Sequence, residues 1–350
     1  MSILEQMSSY DYEKLIFLQD KELGLKAIIS IHDTTLGPAL GGTRMYDYKS
    51  EDEAIKDVLR LSRGMTYKAA AVDLELGGGK AVIIADPRKK TEKLWRAYAR
   101  GIDKLGGYYI TAEDVNTTVD DMEIISQETD YVVGLKEKSG DPSPATAYGT
   151  FMGMKAACKD LWGSKSLKNK IIAVQGLGNV GYYLCKHLYE NGAKLIVADV
   201  NHDKVERVKK DFFADSVSED KIFEVEADIF APCAMGAVLN SNTIPKLKVD
   251  LIAGAANNQL EDESFHSELL KDMNIMYIPD FVINAGGLIN VSEELKGYDY
   301  KRVKEKTEKI YDNILELLNI SRRENISTNE AAYKLANKRL VNNKKSYITL

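Results

Sequence analysis

The sequence predicts an α/β fold, in which a doubly wound, parallel-stranded domain is joined to a second α/β domain. Three observations carry this expectation. Short apolar β-rich runs alternate with helical stretches, a rhythm that calls for parallel pairing with right-handed crossovers. The chain has 350 residues, about twice an ordinary domain. A stretch rich in Gly, Pro and Ser, KEKSGDPSPATA (136–147), breaks the pattern and marks a domain boundary.

In the first part, KAIISIH (26–32), AAAVDLEL (69–76), AVIIAD (81–86) and YYIT (108–111) read as strands. A helix is expected from Glu51 to Arg63, because Ser50 with Glu53 three residues on makes a capping-box pattern. A second is expected from Lys90 to Leu105, where Leu94, Tyr98, Ile102 and Leu105 share one face. Beyond the boundary a helix runs from about Ala147 to Trp162. Strand 170–176 then leads to a helix from about Asn179 to Glu190, stopped by Gly192, and strand 194–200 leads to helix 203–213. ADIFAPCA (227–234), VDLIAGAA (249–256) and IMYIPD (275–280) are further buried strands. The chain closes with helices over 300–320 and from Ser327 or Thr328 to about Leu340, and a polar tail, VNNKKSYITL.

Composition narrows the function classes. The net charge is −6, with 44% hydrophobic and 29% charged residues. That balance is globular and offers no general attraction for nucleic acid or anionic lipid. No apolar run approaches the roughly 18 residues of a membrane span, and the N-terminus lacks the pattern of a signal peptide. Cys158, Cys185 and Cys233 are widely spaced and fit no metal-ligand or disulfide pattern. They read as small buried hydrophobes in a reducing, cytoplasmic compartment, with no metal implied.

One motif carries chemistry by spacing. Gly176-Leu177-Gly178-Asn179-Val180-Gly181 fits G-x-G-x-x-G. It follows a strand, opens a helix and lies inside a βαβ unit, the setting of a Rossmann-type dinucleotide site. The glycines permit the tight turn, the approach of the pyrophosphate and the packing of helix on strand, with the phosphate on the helix N-terminus. Asp199 ends the second strand, where its carboxylate would accept from both ribose hydroxyls and repel a 2′-phosphate. NAD is therefore expected over NADP.

Two lysines stand in apolar β-rich sequence: Lys68 in RGMTYKAAAVD and Lys80 in LELGGGKAVII. The second is no phosphate loop, which needs Gly at 74 and Ser or Thr at 81, where this chain has Leu74 and Ala81. A Lys among Gly and small apolar residues can be desolvated toward the catalytic range, and a second ammonium nearby pushes the same way. Asp114, in YYITAEDVNTT, follows a β run, from which a carboxylate can reach a cleft. Together they could form an acid, a base and an anion clamp. Snorkelling surface lysines and a helix-capping Asp explain the same residues. Of the histidines, His32, His187, His202 and His266 each read as surface or helix-face residues, with no His–carboxylate setting of the kind that 2-hydroxy-acid chemistry needs.

Taken together, GPALGGTR (37–44), MTYKAAAVDLELGGGKAVI (65–83), TAEDVNT (111–117), QGLGNVG (175–181), APCAMGA (231–237), AGAANNQL (253–260) and NAGGLINV (284–291) resemble the amino-acid dehydrogenases that act on glutamate, leucine, phenylalanine or valine. The similarity runs from about residue 10 to 340, with the motifs in the family's order, and lies closest to the leucine branch. The resemblance implies a substrate-binding and oligomerisation domain of 1–138 with 328–350, an NAD domain of 139–327, and an active site in a closing cleft between them. It implies that Lys68 binds the α-carboxylate with the backbone of Gly41 and Gly42. Lys80 would activate the attacking water, Asp114 would move protons at the amino nitrogen, and Thr146 with Asn257 and Asn258 would position the nicotinamide. The implied reaction turns an L-amino acid, water and NAD into a 2-oxo acid, ammonium and NADH, in a homo-oligomer, an octamer by family analogy.

Substrate choice follows from two positions. Glutamate-acting relatives hold the side-chain carboxylate with a Lys and a Ser, and the matching positions here are Leu40 and Val291. An unpaired carboxylate buried there would cost several kcal/mol. A wall of Leu40, Met65, Ala112, Leu288 and Val291 suits leucine, isoleucine and valine, which differ by only about 1–3 kcal/mol each. The alternative is a valine or phenylalanine enzyme with the same machinery. Two residues depart from the leucine-acting relatives. Leu288 replaces Val, which would narrow the pocket toward valine or 2-aminobutyrate. Asn116 replaces a Gly that often follows AEDV.

Overall fold

The computed structural model describes residues 2–348, with side chains to Asn343. Its contacts gather into two compact units: residues 1–141, 291–298 and 336–350, and residues 142–290 and 299–335. The expected boundaries at 138/139 and 327/328 included one return of the chain. The units add a second excursion at 291–298 and place the final return inside the last helix.

Unit 1 starts with α1 (Ile3–Ser8) and continues through β1 (Lys14–Asp20), β2 (Leu25–Asp33), β3 (Ala39–Tyr46), α2 (Glu51–Ala71), β4 (Gly77–Ile84), α3 (Glu92–Asp103), β5 (Tyr109–Glu113) and α4 (Val119–Ser126). Its strands form one sheet in the order β1-β2-β4-β3-β5. β3 runs parallel to β4 and β5, while β2 is antiparallel to both β1 and β4. Alternate residues of the pleat face opposite layers. Ile28 and Val82 pack with Ala54, Ile55, Val58 and Leu59 of α2. Ile29, Ile31 and Ile83 pack with Trp95, Tyr98 and Ile102 of α3.

Several elements differ from the sequence reading. The run 69–76 is not a strand. Helix α2 passes through Gly64 to Ala71, because the alanines favour helix and Ala69, Ala70 and Ala71 are buried. A turn with Asp73 at φ +58° then leads to β4 at Gly77. β1, β3 and α4 were not anticipated. β1 is a partly exposed edge strand with a weak pattern, and paired glycines interrupt the apolar run of β3.

Unit 2 contains α5 (Ser143–Trp162), β6 (Ile171–Gln175), α6 (Asn179–Glu190), β7 (Lys194–Ala198), α7 (His202–Phe212), β8 (Asp215–Ser216), β9 (Ile229–Pro232), β10 (Leu251–Ile252), α8 (Glu263–Asp272), β11 (Met276–Tyr277) and α9 (Asp280–Ile283). After it come α10 (Gly286–Ser292), α11 (Tyr300–Glu308), α12 (Ile310–Glu324) and α13 (Thr328–Ile348). The helix expected over 300–320 is two, separated at Lys309. The sheet order is β11-β10-β9-β6-β7-β8, with every pair parallel. Counted from β6 this is the doubly wound order 3-2-1-4-5-6, and its switch point lies between β6 and β9.

Hydrogen bonds explain why the late segments belong to unit 1. Glu294 Oε1 accepts from the N–H groups of Gly134, Leu135 and Ser139 at 3.0, 3.2 and 3.1 Å. Arg339 donates to the carbonyls of Ala70 and Ala71 at 2.9 and 2.7 Å, capping the last turn of α2. Among the described residues, no helix is long and apolar enough to cross a membrane.

Candidate active site

Lys80 lies in the middle of β4 and is 6% exposed. Its Nζ is 2.9 Å from Oδ1 of Asp114, which follows β5. The other oxygen of Asp114, Oδ2, accepts from Arg44 Nε at 2.9 Å. Arg44 sits on β3, between the strands that bring the other two. Its Nη1 donates to Asp57 Oδ2 on α2 at 2.9 Å, and that oxygen also accepts from the Tyr48 hydroxyl at 2.7 Å. Arg60 closes the outer end at 3.0 Å from Asp57 Oδ1. Five charged residues from two strands, a loop and a helix thus form one chain of charges.

The turn after β5 is held firmly. Asp114 N–H donates to Thr117 Oγ1 at 2.7 Å, and that hydroxyl donates to the Thr43 carbonyl at 2.9 Å. Asn116 adopts φ +61° and donates from Nδ2 to the Met45 carbonyl at 3.0 Å. Asn tolerates this left-handed conformation better than most residues, so it replaces Gly without losing the turn and adds a tie to β3.

The adjacent carboxyls Glu113 and Asp114 are driven apart. Burial, then Asp141 and Asp114, hold Glu113 above its ordinary value. For Asp114 burial pushes upward, but Lys80 and Arg44 together outweigh it and hold the carboxyl below the usual range. Asp114 is therefore ionised at neutral pH. Opposite shifts in neighbouring acids are a common mark of a site built for proton transfer.

Close packing sets the remaining unit 1 positions. A Cβ on Gly78 would lie 2.2 Å from the backbone N of Thr66, so the end of α2 rests directly on β4. Lys68 and Lys80 each follow this contact by two residues, and Lys68 is half-buried in the last turn of α2. A Cβ on Gly42 would meet Glu113 O at 2.3 Å and Asp114 Cβ at 2.9 Å. Gly41 and Gly42 pair with Thr111 and Ala112. Leu40 and Ala112 are buried, while Met65 and Val291 are half-buried in the same unit. Leu288 is buried in unit 2.

The glycine motif of unit 2 fits a dinucleotide. Gly176 turns the chain out of β6 with φ +93°, and a Cβ there would lie 2.6 Å from Ala234. A Cβ on Gly181 would lie 2.0 Å from Gly176 O, so α6 starts against the turn. Gly178 caps α6 with no side-chain hydrogen bond, which leaves its first N–H groups for an anion. Leu177 is buried, Asn179 exposed and Val180 half-buried at that opening. Asp199, just beyond β7, accepts from Leu177 N–H at 2.6 Å and from Asn201 N–H at 2.7 Å. Its oxygens keep lone pairs for ribose hydroxyls.

Thr146, in the first turn of α5, donates to the Pro142 carbonyl at 3.0 Å. Asn257 Oδ1 accepts from Asn284 Nδ2 at 2.8 Å, while Asn258 holds φ +51° and accepts from Ala237 N–H at 2.7 Å. The Oδ1 of Asn284 is buried without a hydrogen-bond partner, an acceptor suited to a carboxamide N–H₂.

Arg44, Asp57 and Asn284 were not singled out from sequence. Arg44 and Asn284 lie inside quoted motifs, but no local pattern reveals a partner seventy residues away. One histidine, His32, corrects the surface or helix-face reading, while His266 keeps to a helix face. His32 is buried on β2, bonded to Thr66 Oγ1 at 2.8 Å and the Tyr10 carbonyl at 3.0 Å, and His266 is buried on α8. The thiols Cys158 and Cys185 are buried and Cys233 is half-buried. Burial pushes Cys158 and Cys233 up to about 12 and raises Cys185 as well, so none is a ready nucleophile.

Comparison with known proteins matches both units. Residues 14–131 match the family model "Glu/Leu/Phe/Val dehydrogenase, dimerisation domain". Residues 138–202 and 195–347 match "Glutamate/Leucine/Phenylalanine/Valine dehydrogenase". The chain is 58% identical to a leucine dehydrogenase of Geobacillus stearothermophilus over 344 residues, covering 97% of this chain and 94% of that protein. It is 52% identical to an L-tryptophan dehydrogenase of Nostoc punctiforme, covering 99% and 98%. The crystal structure of L-tryptophan dehydrogenase from Nostoc punctiforme superposes with a TM-score of 0.91 at 50% identity, over 98% of this chain and all of that one.

Proposed function

Because the chain belongs to the glutamate/leucine/phenylalanine/valine dehydrogenase family, we propose that it catalyses the NAD-dependent, reversible oxidative deamination of L-leucine, and of isoleucine and valine. The products are the 2-oxo acid, ammonium, NADH and a proton. The observation that carries the chemistry is the contact of buried Lys80 with the half-buried Asp114 at 2.9 Å. A lysine and an ionised carboxylate in contact can exchange protons with a substrate amine and a water in turn.

Lys68 and the backbone at Gly41 and Gly42 hold the substrate α-carboxylate. Asp114 takes a proton from the substrate amino group. Bound NAD, held by Gly176, Leu177, Gly178, Asn179, Val180, Gly181 and Asp199 with Thr146, Asn257 and Asn258 at the nicotinamide, supplies the acceptor for the α-hydride. Lys80 removes the proton of the water that adds to the imino carbon, and Asp114 returns a proton to the departing nitrogen. The step balances: the water supplies the oxo oxygen, its hydroxyl proton leaves with the departing ammonia as ammonium, and the proton taken by Lys80 is the one released to solvent.

Leu40, Met65, Ala112, Leu288 and Val291 supply an apolar wall. Relatives at 58% and 52% identity bear different substrate names, leucine and tryptophan, so side-chain choice rests on a few such positions rather than on the fold. Leu40, 2% exposed, has no partner to offer a second carboxylate. A valine-preferring enzyme is the alternative that Leu288 favours. We place the reaction in the reducing cytoplasm, which suits three free thiols.

A panel of L-amino acids assayed by NADH absorbance tests the reading. Leucine, isoleucine and valine should rank far above phenylalanine and glutamate in kcat/KM. Lys80→Ala should lose about two to four orders of magnitude in kcat while its NADH affinity stays unchanged. Preference for phenylalanine, or near-normal turnover by that variant, would refute it.

A further inference from the structure

The Lys80–Asp114 pair has a third member. Arg44 spans two carboxylates that come from different elements, with Nε on Asp114 and Nη1 on Asp57, each at 2.9 Å. Its side chain is 21% exposed, as is that of Asp114. Asp57 is in turn fixed by the Tyr48 hydroxyl and by Arg60. We propose that Arg44 is a positioning residue for the proton-transferring carboxylate, turning Asp114 so that Oδ1 stays aimed at Lys80 and remaining on Oδ2 throughout turnover. This rests on the reading of Lys80 and Asp114 as the proton-moving pair.

Geometry supports the role in two ways. A carboxylate bound at one oxygen alone can rotate about its Cβ–Cγ bond, whereas one held at both oxygens has a single orientation. A planar guanidinium presents donors in a rigid fork, so fixing Nη1 on Asp57 also fixes where Nε points. Lys80 cannot do this by itself. When it turns to a water or a substrate it leaves Oδ1, and Arg44 is then the cation still in contact with the carboxylate.

Electrostatics point the same way. The charged and titratable groups around Asp114 are Arg44 from β3, Lys80 from β4, and Glu113 and Tyr109 from β5, with Asp57, Arg60 and Tyr48 behind Arg44. Burial disfavours the Asp114 carboxylate, and the two cations, Lys80 and Arg44, counter it. Removing Arg44 would leave Asp57 and Asp114 as like charges with no cation between them, and Asp114 would bind its proton at higher pH.

The test compares R44Q, R44K and D57N with the wild-type enzyme. R44Q should lower kcat about 10–100-fold with NADH affinity unchanged, and move the acid limb of kcat/KM upward by about one pH unit. R44K keeps the charge but not the fork, so its acid limb should return close to the wild-type position while kcat stays depressed. D57N should lower kcat without an upward shift of the limb. A folded R44Q with wild-type kcat, or with lowered kcat and an unmoved limb, would overturn the proposal. If R44Q does not fold, an R44K enzyme with wild-type kcat would overturn it. The Asp114 carboxyl is also titrated directly by infrared difference spectroscopy against D114N, which needs no turnover. Should the wild-type enzyme oxidise no amino acid, the deamination reading fails, and the carboxyl titrations of wild type and R44Q still decide whether Arg44 controls Asp114.

Discussion

The two oxygens of Asp114 each carry a cation, and this ties the acid stability of the protein to the same group that the proposed chemistry uses. With its folded-state value below the ordinary one, the carboxyl binds its proton less readily in the folded chain than in the unfolded chain. Its stabilising contribution is therefore present above about pH 4 and lost as pH falls through the folded value. Chemical denaturation between neutral pH and pH 3 should show wild-type stability falling more steeply below pH 4 than that of D114N. Equal slopes would mean that the two ion pairs do not favour the carboxylate. Lys80 and Asp114 were legible from their settings in glycine-rich and strand-end sequence. Their contact, and the fork of Arg44 behind it, were not, because the three residues lie in separate stretches and meet only in the sheet.

At the scale of elements, close approach explains both what was legible and what was missed. The βαβ unit of β6, α6 and β7 could be read because its glycines occur at the spacing that the turn requires. Gly181→Ala tests that packing. Its Cβ would sit 2.0 Å from the Gly176 carbonyl oxygen, so α6 must shift and NADH affinity should fall at least about tenfold, a cost of about 1.4 kcal/mol. Gly64→Ala is the control. It lies in α2 with nothing within 4 Å of the new Cβ, so it should raise stability by about 0.5–1 kcal/mol and leave NADH affinity unchanged. An unaltered NADH affinity in Gly181→Ala would refute the dinucleotide reading of the turn. β3 escaped notice for a related reason: the glycines that let it crowd against β4 and β5 remove the apolar alternation by which strands are recognised. The run 69–76 erred the other way, since apolar residues buried on a helix look like those of a strand.

For the whole molecule, we propose a homo-oligomer, an octamer. The match of residues 14–131 to a dimerisation-domain model supports subunit pairing through unit 1. So does β1, a sheet-edge strand that among the described residues pairs with β2 alone and leaves Phe17 55% exposed, the kind of edge that association covers. Light scattering on the purified protein should give about eight chain masses, and a monomer would overturn the proposal. The polar tail 341–350 continues α13 as far as Ile348, and Thr349 and Leu350 lie outside the described residues. The sequence by itself determined the α/β class, the doubly wound unit, its glycine turn and the Asp199 that follows, because each depends on local periodicity and spacing. Through its family resemblance it also singled out the two lysines and the aspartate as candidates. Only the tertiary structure decided that segment 291–298 belongs to the first unit, that the final return begins inside α13, and that Lys80, Asp114, Arg44 and Asp57 form one charge chain. Those results depend on contacts between residues distant in the chain, and a net charge of −6 reports nothing of how a few buried charges are paired.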